Sequence, residues 1–256
     1  MFADSLVLAG RTVRRMVRNP EQFIDVTLQP IIMTVLFVFI FGGAIAHSTS
    51  EYLTFALPGI IVQTVMFTSL TIGVNLNNDI SKGVFDRFRS LPIARSAPLF
   101  GAVLGDIVRH SIAVAVTLVF GVIIGYRFGT PWWDVLLAFV LMVVFAVSLC
   151  WVSVFIGTMV RSSGAVQGIS FLITFPLTFG SSTFVPASTL PSWLQGWVAI
   201  NPVTHVIESM RGLLNGPSAL ASGETLGLEL LWVLISCVVL WAVFFPLATW
   251  AYRRKI

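Results

Sequence analysis

Long apolar runs alternate with short polar ones along the whole chain. Stretches without Asp, Glu, Lys or Arg cover residues 26–46, 52–78, 111–126, 135–160, 162–207 and 230–252. A bilayer core of about 30 Å takes roughly 20 apolar residues as a helix. The first, second, fourth and last runs each fit one span. The third fits when extended back to residue 99 across Asp106, Arg109 and His110. The fifth is too long for one helix and carries Pro176, Pro186, Pro191 and Pro202. It divides into a span over 165–183 and a non-spanning segment over 184–216. The pattern predicts an all-α integral membrane protein with six transmembrane helices.

The polar connections have their own periodicity. Over 5–18, Leu6, Ala9, Val13, Met16 and Val17 recur at helical spacing, with Arg11, Arg14, Arg15 and Arg18 in the same period on the other side. That is the signature of an amphipathic helix lying at the membrane interface, ended by Asn19-Pro20. Between spans two and three, residues 79–98 read DISKGVFDRFRSLPIARSAP, with Asp79, Lys82, Asp86, Arg87, Arg89 and Arg95 as its charged members. Val84, Phe85, Phe88 and Leu91 sit at helical spacing within it, and Pro92 stops the helix. An apolar knob with a charged rim over 80–91 is a docking surface for a protein. Packing flat on lipid headgroups is the alternative, but Asp79 and Asp86 among the bases disfavour anionic lipid.

In the 184–216 segment, Asn201 suits an N-cap and Pro202 the first helical position. Val203, Val206, Ile207, Met210, Leu213 and Leu214 then form one apolar stripe, with Glu208 and Arg211 off it and Gly216 closing the helix. Trp193 and Trp197 suit the headgroup level. Pro58 is expected to kink span two. Arg161-Ser162-Ser163 predicts a tight hairpin between spans four and five. Asp106 with Arg109 and His110, at i,i+3 and i,i+4, reads as an ion pair at the membrane edge rather than a proton relay. Gly101/Gly105, Gly121/Gly125 and Gly164/Gly168 are small pairs that permit close helix contact in lipid. Phe171, Phe175 and Phe179 form an i,i+4,i+8 ladder in span five, fitting either an apolar pathway or a packing or lipid-facing stripe.

Composition excludes a water-solvated domain. The 256 residues are 57% hydrophobic and 10% charged, against about 25% charged in soluble domains, and the mean hydropathy is +0.94. Of the fifteen Lys and Arg residues, thirteen fall before span one, between spans two and three, at Arg109, at Arg161 and at the C-terminus. Only Arg127 and Arg211 fall on the other side. The positive-inside rule places both termini and the 80–91 segment in the cytoplasm, and the basic balance needs no nucleic acid. The charged start followed by Ala44-Ile45-Ala46 imitates a signal peptide, but the first helix reads as retained. Cys150 and Cys237 fall inside spans and read as apolar fillers rather than a disulfide. Neither Cys nor His shows metal-ligand spacing.

There is no phosphate-binding loop, zinc-protease motif or nucleophile elbow, and no acidic residue at the middle of a span. If the chain moves a solute uphill, the energy comes from a partner. Three stretches carry a family resemblance: YLTFALPGIIVQTVMF, NDISKGVFDRFRSLPIARSAPLFGAVLGDIVR and FVPASTLPSWLQGWVAINPVTHVIESMRGLL. Together they resemble an ABC-2-type permease of the daunorubicin-resistance exporter kind. The central pattern is Asp79, Gly83, Arg87, Leu91 and Pro92. The resemblance implies a half-transporter that pairs with a second permease and docks a separate ATPase on its cytoplasmic face. It makes 80–91, with Phe85, Asp86 and Phe88, the coupling helix and 5–18 the connecting helix. ATP and Mg would be bound by the ATPase, and no cofactor by this chain. The expected cargo is a hydrophobic drug or lipid crossing a bacterial cytoplasmic membrane. Export of lipid-linked polysaccharide or teichoic-acid precursors is an alternative, and a non-transporting membrane scaffold or immunity protein is an alternative of another class.

Overall fold

The computed structural model describes residues 9–10, 13–14, 20–45, 48–84, 97–220 and 225–255. Every regular element in them is helical. We label the main helices α1 (Pro20–Leu36), α2 (Thr49–Thr68), α3 (Leu70–Ser81), α4 (Ala97–Ile123), α5 (Trp132–Met159), α6 (Ser163–Phe179), α7 (Ser192–Ile200), α8 (Pro202–Asn215) and α9 (Leu226–Lys255). α1 runs on through a π-helical turn, Phe37–Phe41, into Gly42–Ile45. Among the described residues, four helices are long and apolar enough to cross a membrane: Thr49–Ser81, Pro98–Ile123, Trp132–Met159 and Leu226–Arg254. Two shorter apolar helices, Val26–Phe41 and Ser163–Phe179, coincide with the first and fifth expected spans. Of the 5–18 segment only Ala9, Gly10, Val13 and Arg14 are described, and they are helical; the remainder lies outside the described residues.

Local chemistry explains where the helices begin and end. Ser48 caps α2, its Oγ accepting from the Glu51 N–H at 3.2 Å, and Glu51 adds negative charge at the positive helix end. Helical structure continues past Pro58, and the interruption comes at Ser69 instead. Ser162 caps α6 by accepting from the Ala165 N–H at 3.3 Å, so α5 and α6 form the expected tight hairpin. α6 stops at Phe179 rather than 183, for a physical reason. The Asn201 Nδ2 donates to the carbonyls of Leu177 and Gly180 at 2.8 and 2.9 Å. Its Oδ1 accepts from the Val203 N–H at 3.0 Å. One amide thus caps the end of α6 and the start of α8. Gly216, at φ 97°, closes α8 as the sequence predicts.

α2 is the central helix and α9 the most peripheral. α8 packs against α2, α5 and α9. The amphipathic pattern of α8 suggests a polar face turned outward, yet Glu208 and Arg211 are as buried as the apolar stripe. Gly121 lets α4 approach the Leu57 side chain, whereas Gly125, at φ 110°, ends the helix in a left-handed turn rather than making a helix contact. α3 lies closest to α5, where the Gly73 carbonyl fills the space a Cβ on Gly157 would need. Asn77 is buried on that seam and donates to the carbonyls of Gly157 and Val160 at 2.9 and 2.7 Å.

Candidate functional site

The Phe171, Phe175 and Phe179 ladder lines a cavity of about 550 Å³ enclosed by α1, α2, α3 and α6. Rings are 5.3 Å apart from Phe171 to Phe175 and 4.4 Å from Phe175 to Phe179. The track continues beyond α6. Phe67 lies 6.0 Å from Phe171, Phe184 lies 5.4 Å from Phe179, and Phe37 stacks on Phe184 at 3.8 Å. The three ladder rings are 42 to 46% exposed, so roughly half of each ring is available to whatever enters. Pro176 leaves the ladder contiguous, because Phe175 and Phe179 remain one turn apart.

Polar groups in the wall are uncharged. Gln29 of α1, Gln63 of α2 and Gln167 of α6 border the cavity together with Thr64 and Thr71. Carboxamides both donate and accept, so an apolar ligand with scattered oxygens or nitrogens can be held without a fixed charge. Among the described residues the wall carries no ionised group. The glutamines escaped attention in the sequence because single uncharged polar residues do not interrupt a hydropathy run.

The segment expected from the sequence to couple to an ATPase is described only in part. Asp79 lies in the last turn of α3. Lys82 follows as the C-cap, and Gly83 sits at φ 66°, with its N–H donating to the Ile80 carbonyl at 3.0 Å. Ile80 and Ser81 therefore belong to α3, and the helix expected over 80–91 cannot start at 80. Gly83 turns the chain, a φ that glycine adopts without penalty, and Val84 is helical again. Phe85, Asp86, Arg87, Phe88, Leu91 and Pro92 lie outside the described residues.

Two buried polar clusters tie the surrounding helices together. In the first, Arg211 pairs with Glu208 at 2.6 Å, its Nη2 donates to the Ser182 carbonyl at 2.5 Å, and its guanidinium lies 3.9 Å over the Phe55 ring. Ser182 Oγ donates to Glu208 at 2.8 Å. In the second, His110 Nδ1 is 2.8 Å from the Asp106 main-chain carbonyl and its Nε2 is 2.9 Å from Ser69 Oγ. Cys150 Sγ lies 4.0 Å from Asp106 Oδ2. Asp106, Arg109 and His110 are all at least 96% buried. They form a buried cluster between helices. Asp106, His110 and Cys150 offer one metal-ligand atom each within 4.8 Å of one another. Sequence spacing hides that grouping, because Cys150 comes from a different helix.

Comparison with known proteins places the chain. The family model of the ABC-2 type transporter matches residues 5–215. A daunorubicin resistance ABC transporter permease protein of Streptomyces coeruleorubidus is 40% identical over 92% of this chain and 81% of its own length. A doxorubicin resistance ABC transporter permease protein of Mycobacterium tuberculosis is 27% identical over 82% of this chain and 68% of its own. An ABC transporter G family member of Dictyostelium discoideum is 24% identical over 88% of this chain but only 29% of its own length. The multi-pass helical architecture, the matched span and the 40% identity lead to one conclusion: the chain belongs to the ABC-2 type transporter family, as a membrane permease subunit.

Proposed function

We propose that this permease moves hydrophobic drugs or lipids outward across a bacterial cytoplasmic membrane, through the cavity bordered by Phe171, Phe175 and Phe179. The observation that carries the reading is the combination in that cavity of a continuous aromatic track with three carboxamides and no charge. Planar aromatic surfaces stack on such rings, and neutral hydrogen-bonding groups orient them. Relatives named for resistance to daunorubicin and doxorubicin support the same cargo class. The α1–π-turn helix and α6, added to the four long helices, make the six-span topology, with both termini cytoplasmic by the thirteen-to-two basic asymmetry. A second copy of the chain completes the pathway, since Gly164 and Gly168 of α6 meet nothing within 4 Å in one copy. A separate ATPase supplies the energy and binds ATP and Mg, docking on the segment over 80–91 with Phe85 and Phe88 as its apolar knob.

Reconstitution with the ATPase tests this reading. Phe85→Asp with Phe88→Asp is expected to lower efflux from proteoliposomes by at least about tenfold, while ATP hydrolysis continues. Such loss matches the removal of two buried aromatic anchors at a docking interface. Normal efflux in the double variant would remove the docking assignment.

A further inference from the structure

The glutamines that border the aromatic cavity are not equivalent. Gln167 of α6 is exposed and Gln29 of α1 is partly buried, so both also face other surroundings. Gln63 of α2 is only 5% exposed. It stands near the middle of the apolar stretch Thr49–Ser81, where an amide without a partner is costly. Among the described residues its carboxamide makes no hydrogen bond. Nor are its polar atoms sealed in, as Trp151 Nε1 and Ser170 Oγ are, so the little surface Gln63 keeps opens on the cavity it lines.

Two threonines of the same wall repeat this. A threonine inside a helix can turn its hydroxyl onto the carbonyl one turn back, as Thr34 does onto Pro30 and Thr117 onto Ala113, both at 2.7 Å. Thr64 and Thr71 border the cavity and make no such bond. Uncommitted polar groups of α2 and α3 thus share one space with the aromatic track. Phe67 joins the two, because it lies one turn from Gln63 on the same face of α2 and its ring is 6.0 Å from Phe171.

A carboxamide sets a donor and an acceptor side by side in one plane. Its full complement is a ligand edge with an acceptor and a donor side by side, which is how glutamine reads the edge of a base. Ester lipids offer acceptors alone, and a lone hydroxyl pairs with one half of the amide. Resting on the export reading above, we infer that Gln63 is a specificity-determining residue of the cargo cavity. It selects planar ring compounds that carry an amide-like edge, a lactam or an imide. The ring body lies against the phenylalanines, Gln63 Nε2 donates to the ligand carbonyl, and Gln63 Oε1 accepts from the ligand N–H. Rings without that edge enter the same cavity, leave the amide unpaired and bind less tightly.

Binding of tritiated probes to the full-length permease in nanodiscs tests the assignment, with empty nanodiscs subtracted to remove partition into lipid. The probes are phenanthridinone, a planar three-ring lactam; its N-methyl derivative, which has lost the donor; and phenanthrene, which has neither group. Gln63→Leu keeps the size of the side chain and removes the amide. It is expected to weaken phenanthridinone binding about tenfold or more, the discrimination carried by a two-point pair. It should not weaken phenanthrene, and the gap between phenanthridinone and its N-methyl derivative should close. Phe175→Ala should weaken all three probes, since it removes ring surface and leaves the amide. Equal weakening of all three by Gln63→Leu would show a general change in the cavity and would overturn the role of Gln63. Phenanthridinone binding that ignores Gln63→Leu, while Phe175→Ala still weakens every probe, would overturn it too and leave the export cavity standing. If neither variant alters any probe, the cavity reading fails and the role of Gln63 fails with it.

Discussion

Pro58 has no N–H, so the Thr54 carbonyl one turn earlier loses its usual helical donor. Asn215 Nδ2 replaces it at 2.9 Å, and Asn215 Oδ1 in turn accepts from the Tyr126 hydroxyl. The proline is thereby tolerated in a central helix, at the expense of fixing the end of α8 against α2. Burial pushes the Tyr126 phenol above its ordinary pKa, so the folded protein holds this proton more tightly than the unfolded chain does. The Tyr126 contribution to stability is therefore complete below the ordinary phenol value of about 10 and declines as pH rises above it. Arg211 does comparable work on the same helix. Burial lowers its pKa, and the Glu208 charge and hydrogen bond oppose that. Removing one member strands the other. Arg211→Met is expected to destabilise by about 3–5 kcal/mol, because it removes the guanidinium that balances the buried Glu208 charge. The double change Arg211→Met with Glu208→Leu should cost clearly less. Thermal unfolding in one detergent would compare the two, and a double variant as unstable as the single would show that the pair does not act as a unit.

At the scale of elements, α3 is the part of the structure that links the proposed coupling segment to the rest. It follows the Ser69 interruption, packs chiefly on α5 and α6, and ends at Asp79 to Gly83, where the proposed docking segment begins. Asn77 is the joint. Its two hydrogen bonds hold the carbonyl end of α5, directly before the hairpin into the aromatic ladder. Under the proposed coupling, a push on 80–91 reaches Phe171 through this seam. Asn77→Leu keeps the volume and removes both donations, at about 1–3 kcal/mol for the buried Gly157 carbonyl that loses this donor. The ratio of efflux to ATP hydrolysis should then fall about tenfold. Global destabilisation alone would lower both together, so an unchanged ratio would leave Asn77 a structural residue only. Much of this level was legible in sequence. The apolar runs marked the helices, Asn201-Pro202 and Gly216 marked the ends of α8, and Arg161-Ser162-Ser163 marked the hairpin. What was not legible depends on distant partners. Asn215 rescues Pro58, Asn201 ends α6 early, and Cys150 joins Asp106 and His110 only through packing. The burial of Glu208 was hidden for the same reason, because an ion pair three residues apart looks alike in water and inside a bundle.

For the whole molecule, the proposed function makes one copy half of a pathway. The ladder rings face a cavity yet remain about half exposed. Leu172 on the same helix is 73% exposed, and Phe39 and Ile40 of the π-helical turn after α1 are exposed too. Those apolar faces cover either lipid or a second copy, and Gly164 and Gly168 offer the close approach that the second arrangement needs. If α6 lines a two-fold axis, the phenylalanines from both copies meet there and shut the path at rest. Fully burying one such side chain is worth about 1.5–3 kcal/mol against water, so opening a wet path past six of them needs substrate or ATPase closure to drive it. The native cysteines do not interfere with a test, since Cys150 and Cys237 are buried. Phe171→Cys and Phe175→Cys should each crosslink two copies in the resting state, and ATP with the ATPase present should reduce the yield severalfold. Phe175→Ala should raise passive leak of a small dye from proteoliposomes or widen the range of exported compounds. Absence of any crosslink at either position, with leak and export unchanged in Phe175→Ala, would make the ladder a lipid-facing surface and would move the pathway elsewhere in the bundle.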